Sequence, residues 1–113
     1  MMIEAILIEY LGAELNVPVF VMFPDTMPQG QFIVLDRIGS NKTNHIMSYT
    51  IAVQSYGSTA LSAAMLNESV IEAMENLLAD DRFARIHLNN GSMYTDTTRK
   101  LNRYQSTFEI VML

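Results

Sequence analysis

The sequence predicts an α+β domain in which two helices pack on one face of a mainly antiparallel sheet of about four to five strands. A helical spacing of apolar residues opens the chain, three strand-like segments follow, and a long second helical segment comes before two further strands. Helices placed in this way cannot form βαβ units throughout, so most neighbouring strands are expected to pair antiparallel. The predicted order of elements is α-β-β-β-α-β-β.

The first helix is predicted over residues 2–15, with Asn16 as its stop. Its apolar residues recur three and four positions apart and so share one face; they are Ile3, Ile6, Leu7, Tyr10 and Leu11. Residues 17–23 are rich in β-branched and aromatic side chains and predict the first strand. Pro18 cannot donate a ladder hydrogen bond, which places this strand at a sheet edge.

The second strand is predicted around residues 32–35, after a loop over 24–30 that contains two prolines and a glycine. Residues 39–44 are expected to form a polar turn before a third strand at 45–56. In that strand Met47, Tyr49, Ile51 and Val53 alternate with polar residues, so one face should be buried.

The second helix is predicted from a cap at Ser58 or Thr59 to about residue 79. Its buried stripe is expected to comprise Leu66, Val70, Met74, Leu77 and Leu78. Residues 83–88 predict the fourth strand and residues 89–91 a tight turn. The last strand is predicted over 104–112, with Tyr104, Phe108, Ile110 and Met112 on one face.

A chain of 113 residues suits a single domain, 1–113, with one core. Half of the residues are hydrophobic and only 17% are charged, which suggests that some apolar surface is buried against other subunits. The net charge of −5 disfavours specific nucleic-acid binding. The absence of cysteine excludes disulfides and thiolate chemistry, and neither an export signal nor a membrane-spanning segment is recognised.

The motifs do not predict an enzyme, a metal site or a cofactor. His45 and His87 have no ligand-type residue at a metal-binding spacing, and the serines lack a nucleophile-elbow motif. The acidic residues Glu68, Glu72 and Glu75 share one side of the second helix and are interpreted as a solvated face. Residues 39–43 end in Lys-Thr like a phosphate loop, but the motif's first glycine is missing and a strand follows.

Charge is distributed unevenly near the end of the chain. Arg99, Lys100 and Arg103 bring together three of the seven basic residues, shortly after Asp96. Three interpretations stay open: a solvated loop, a basic patch that meets Asp80 and Asp81 of a neighbouring subunit, or contact with DNA passing through a ring. Asp80 and Asp81 are also a turn signal at the end of the second helix.

Two long segments resemble a known protein family. Residues 48–74, which pass from a strand through Gly57 into a capped helix, and residues 94–110 resemble the small tail-terminator proteins of long-tailed bacteriophages and prophages. The Val17-Pro18-Val19-Phe20 strand and the final strand extend the similarity over most of the chain. The similarity consists of the order of helices and strands and of short stretches of similar sequence, without an invariant chemical motif.

The resemblance implies a structural role without catalysis or cofactors. Such proteins form rings, usually hexamers, that bind the end of the tail tube, stop its growth and present a surface to the filled head. The implied partners are further copies of the chain, the tail-tube protein and a head-completion or connector protein. The implied location is the host bacterial cytoplasm during assembly and then the head–tail junction of the virion.

The resemblance also suggests where contacts between subunits or with the channel lie. The strand at 17–23 and the last strand are expected to contact neighbours, and the loops around Asn41 and 96–103 are expected to face the channel or tube. The candidate interaction residues are Lys42, Asp80, Asp81, Asp96, Arg99, Lys100 and Arg103. The alternatives are another head–tail connector component, such as a stopper or minor capsid protein, a small ligand-binding domain, or a free regulatory module.

Overall fold

The structure is a computed structural model that describes residues 2–93, 99 and 101–113. In these residues two helices and five strands follow one another in the predicted order. The elements are α1 (Ile3–Leu15), β1 (Val19–Phe20), β2 (Phe32–Thr43), β3 (Ile46–Gly57), α2 (Ala60–Leu77), β4 (Phe83–Met93) and β5 (Asn102–Met112).

The five strands form one sheet in the order β1-β2-β3-β5-β4. β1 pairs parallel with β2, and every other neighbouring pair is antiparallel. Both helices contribute to one core on a single face of the sheet. The strands contribute Ile33, Val53 and Phe108 to this core. The predicted α+β class and its mainly antiparallel sheet are confirmed.

α1 buries Ile3, Leu7 and Leu11 completely, as their spacing predicts. The helix stops at Asn16, which adopts a left-handed conformation (φ 53°) and donates its backbone N–H to the Gly12 carbonyl. Asparagine tolerates this conformation better than most residues, so a short polar residue can end the helix here.

β1 is at the sheet edge, as Pro18 predicts, but it is much shorter than the predicted strand at 17–23. Only Val19 and Phe20 pair with β2. The chain then turns away, and Phe23 packs on the sheet face that the helices do not cover. Packing of the partly buried Phe23 ring on that face competes with the strand propensity of residues 21–23.

The turn predicted at residues 39–44 is wrong. β2 continues to Thr43, and a two-residue turn at Asn44 and His45 connects it to β3. Both turn residues have positive φ, 51° and 66°, as tight hairpins with the twist of paired strands require. Gly39 instead lies at a bulge in β2.

The N-cap of α2 was predicted to be either Ser58 or Thr59. Thr59 Oγ1 accepts a hydrogen bond from the Ser62 backbone N–H at 3.0 Å, which identifies Thr59 as the N-cap. The predicted buried stripe is confirmed for Leu66, Val70, Met74 and Leu77. Leu78 is a correction, because the helix ends at Leu77 and the Leu78 side chain is 46% exposed.

The tight turn predicted at residues 89–91 is also wrong. β4 continues to Met93, with a bulge between Leu88 and Asn90. A bulge accommodates an extra residue without ending the strand, so the Asn-Asn-Gly sequence does not reverse the chain here.

β5 begins two residues earlier than predicted and is an interior strand between β3 and β4. Phe108 and Ile110 are buried, and Met112 packs against the same core, so the predicted apolar face is confirmed for these residues. Because both edges of β5 are paired within the chain, its backbone cannot pair with a neighbouring subunit. The predicted contact of the last strand with a neighbouring subunit therefore stays a prediction for its side chains alone.

The helices of the described residues do not include one long and apolar enough to cross a bilayer.

Candidate functional site

Three segments meet at one end of the sheet, which we call the loop end. Residues 21–31 connect β1 to β2, Ser58 and Thr59 connect β3 to α2, and β5 starts at Asn102. The register brings them together, because Phe32 pairs with Tyr56 and Gly57 pairs with Asn102. The Gln31 side-chain amide also donates to the Ser62 carbonyl at 2.9 Å, which ties the loop to α2.

At the loop end an aromatic cluster covers the sheet face opposite the helices. Phe32 and Tyr56 are stacked with ring centroids 4.7 Å apart. Phe23 packs edge-on against both rings, at 5.7 and 5.6 Å, and Phe20 packs edge-on against Phe32 at 6.2 Å. Val34 and Leu101 complete this second apolar cluster. Aromatic pairs prefer stacked-offset and edge-on arrangements of this kind, which add to the stability gained by burial.

Two of the predicted basic residues lie on the aromatic cluster. The guanidinium carbon of Arg99 is 3.9 Å from the centre of the Phe23 ring, within the range of a cation–π interaction. Arg103 Nη1 donates a hydrogen bond to the Tyr56 hydroxyl at 3.1 Å. Both arginines therefore have structural contacts, in contrast to a fully solvated loop. Asp96 and Lys100 lie outside the described residues.

A cavity of about 410 Å³ opens beside the aromatic cluster. It is lined by Met27, Pro28, Gln29, Gly30, Phe32, Tyr56, Gly57, Ser58, Leu101 and Asn102. Asn102 donates its side-chain amide to the Ser58 carbonyl at 3.3 Å and so helps to hold the wall. A mostly apolar cavity with a few polar groups can accept an apolar side chain or a small ligand of similar size.

The acidic pair lies at the other end of the sheet. Phe83, just after Asp80 and Asp81, pairs with Met112, whereas Asn102 at the other end of β5 pairs with Gly57. Arg82 Nη2 contacts Asp80 Oδ2 at 2.7 Å, and the Arg82 backbone N–H donates to Oδ1 at 2.9 Å. These bonds lower the pKa of Asp80 to about 2. Asp81 is exposed.

Lys42 is exposed near the end of β2, one residue before the strand ends at Thr43. It forms no ion pair within the described ranges. Arg37, five residues earlier in β2, does have an ion-pair partner. Its Nε donates to Glu4 Oε2 at 2.8 Å and its Nη2 contacts Glu4 Oε1. That bidentate pair fixes the first turn of α1 to β2.

The residues weighed as candidates for catalysis or metal binding lie on the surface. His45 and His87 are exposed, and so are Glu68, Glu72 and Glu75, which confirms the predicted solvated face of α2. The residues that the structure describes contain no group of three or more His, Asp or Glu side chains placed to hold a metal ion.

Sequence reasoning missed the aromatic cluster. Phe23 and Phe32 were predicted in two different strands, with no prediction of the sheet face that each occupies. A signal was present, since Phe32 and Val34 alternate with Ile33 and Leu35, so both faces of that short segment are apolar. A strand that is apolar on both faces indicates cover on each side.

Comparison with models of known protein families finds no match to this chain, and comparison with curated protein sequences finds none either.

Proposed function

We propose that this chain is a structural protein of a bacteriophage or prophage that caps the end of the tail tube as a ring. In this role it stops tail polymerisation and forms the head–tail joining interface. It would act in the host bacterial cytoplasm during assembly and reside afterwards at the head–tail junction. The family resemblance of residues 48–74 and 94–110 supplies the specific role.

The observation that carries the ring is the open sheet. Within the described residues, β4 is the outermost strand on one side, and on the other side β1 covers only Ile33 and Val34 of β2. Two different unpaired edges on opposite sides of one subunit favour a heterologous contact, which closes into a ring when the rotation allows it.

Exposed apolar side chains at the loop end support a protein partner there. Residues 21–27 contain Val21, Met22 and Met27, which are 49, 77 and 52% exposed, and α2 begins with exposed Leu61 and Met65. The bond between Gln31 and Ser62 joins the connection over residues 21–31 to α2. We assign this surface to the tail-tube protein, because large exposed apolar side chains are typical of protein contacts.

The direct test combines light scattering after size exclusion with tube assembly. We expect the 113-residue chain to form a defined ring, near six copies, alone or on addition of tail-tube protein, and to shorten the tubes that form. Replacing Met22 or Leu61 by Glu should weaken tube binding. Leu78→Glu is the matched control, because Leu78 is also exposed but lies at the far end of α2.

A chain that stays monomeric at high concentration and ignores tube protein contradicts the proposal. Binding to a portal or adaptor ring instead of the tube would identify another head–tail connector component, such as a stopper or minor capsid protein.

The cavity favours one second candidate, a small ligand-binding domain. A volume of about 410 Å³ beside Phe32 and Tyr56 suits a small apolar molecule. A ligand screen by thermal shift distinguishes the two functions: stabilisation that is lost in Ser58→Trp, at the cavity wall, but kept in Leu78→Glu would favour the ligand-binding domain.

A further inference from the structure

We propose that copies of this chain join edge to edge, with β4 of one copy pairing antiparallel with residues 36–43 of β2 in the next. This inference rests on the proposed ring and names the surfaces that form it. The two sheet edges involved are β4 and residues 36–43 of β2. They match in height on the sheet, in strand direction and in charge.

The two free edges lie at the same height on the sheet. Lys42 pairs with Met47, Met47 with Met112, and Met112 with Phe83, so one row of residues crosses the sheet from β2 to β4. Five residues along β3 and β5, a second row runs from Asp36 through Ala52 and Thr107 to Asn90. The free part of β2 is therefore level with residues 83–90 of β4 and matches them in length.

The strand directions also agree. β2, β3, β5 and β4 alternate in direction across the sheet, so β2 and β4 run antiparallel within one subunit. A copy related by rotation about an axis along the strands presents its β2 to β4 antiparallel and without a large shift. Antiparallel pairing is the commoner arrangement and satisfies the backbone N–H and C=O groups of both edges.

Charge favours the same alignment. In it, Lys42 of the partner subunit lies opposite Phe83 and within reach of Asp81, in the turn just before β4. Lys42 and Asp81 are both exposed, and in the described part of the chain neither belongs to an ion pair. The contact therefore joins two of the predicted interaction residues, Lys42 and Asp81, whereas Asp80 is held by Arg82 of its own chain.

Engineered disulfides test the contact directly, because the natural chain has no cysteine. Asn41 and Arg85 lie on the helix-free face, in the row that passes through Ser48 and Val111. Within one subunit they stand on opposite edges, three strand spacings or about 14 Å apart, too far to form a disulfide. Oxidation of the Asn41→Cys/Arg85→Cys variant should therefore give a ladder of linked subunits on non-reducing gels.

Thr43→Cys/Arg85→Cys tests a register shifted by two residues along the same face, as ring closure can require. Each cysteine alone is the matched control. A heterologous contact leaves both single variants unlinked, whereas a dimer through β4 alone would link Arg85→Cys to itself. No ladder in either double variant, or linking of a single variant, overturns the proposal.

A charge exchange gives a second readout. Lys42→Glu or Asp81→Lys alone should weaken self-association about five-fold, as expected for one partly exposed ion pair, and the double exchange should restore it. Equal weakening in the single and double variants contradicts the pairing. Disulfide-linked ladders without tube binding would reject the tail-terminator role but support this contact. Defined rings that cap tubes, in variants that form no disulfide, would reject this contact but support the tail-terminator role.

Discussion

Ser106 on β5 donates a 2.6 Å hydrogen bond from its hydroxyl to Oδ1 of Asn67 on α2. Both side chains are buried in a mostly apolar layer between helix and sheet. The bond fixes how α2 lies across β5, since a shift of the helix would leave two polar groups unpaired.

Loss of this bond should destabilise the protein. We expect Ser106→Ala to lower the free energy of unfolding by about 1–3 kcal/mol, because the Asn67 amide stays buried without its donor. Urea denaturation followed by circular dichroism measures the change. Ser55→Ala is the matched control: Ser55 is equally buried, and its hydroxyl has no partner in the described residues. Its replacement should be neutral or stabilising, and an equal loss in both variants contradicts this account.

The N-cap of α2 provides a second comparison. Thr59→Ala should cost about 1 kcal/mol, because the Ser62 N–H loses its acceptor. Ser58→Ala should change the free energy of unfolding by less than about 0.5 kcal/mol, since Ser58 is exposed and does not cap the helix. Thermal unfolding of both variants distinguishes them. A larger effect of Ser58→Ala would identify Ser58, and not Thr59, as the N-cap.

Gly57 lies where β3 approaches the first turn of α2. A Cβ at this position would be 2.6 Å from the Ala63 backbone nitrogen, so Gly57→Ala must displace the start of the helix. We expect a loss of about 1–3 kcal/mol. Gly39→Ala is the control, because a Cβ there meets nothing within 4 Å. Chemical denaturation should show little change for Gly39→Ala, and equal effects would contradict the steric explanation.

The aromatic cluster should be a large source of stability on the helix-free face. Phe32 is 2% exposed, and Phe32→Ala should lower the free energy of unfolding by about 3–5 kcal/mol through lost burial and a cavity. Met22→Ala, at a side chain that is 77% exposed, should have little effect. Guanidinium denaturation compares the two. A small loss at Phe32 would mean that the loop over residues 21–31 is not packed in solution.

The ion pair between Asp80 and Arg82 predicts a pH dependence. Hydrogen bonds from Arg82 lower the pKa of Asp80 from its usual 3.8 to about 2, so the folded state holds the ionised form more strongly than the unfolded chain. The stability from this pair is fully present above about pH 4 and is lost as the pH falls through about 2. Carboxyl NMR should give a midpoint near 2 in the natural chain and a higher one in Arg82→Ala, which loses the side-chain bonds but keeps the backbone N–H donor. A midpoint unchanged by that substitution would exclude Arg82 as the cause.

The amino-acid sequence by itself determined the elements that depend on local chemistry. The spacing of Ile3, Leu7 and Leu11 determined one face of α1, Pro18 determined an edge strand, and a hydroxyl before Ala60 determined the start of α2. These features follow from neighbours within a few residues, so no distant contact was needed to predict them.

Only the tertiary structure decided where the strands end and what they expose. Gly39 and Gly91 resemble turn signals, yet pairing with β3 and β5 carries both strands through them. The aromatic cluster and the level alignment of Lys42 with Phe83 likewise depend on register across several strands. Register is set by the packing of whole sheet faces, and local sequence does not contain that information.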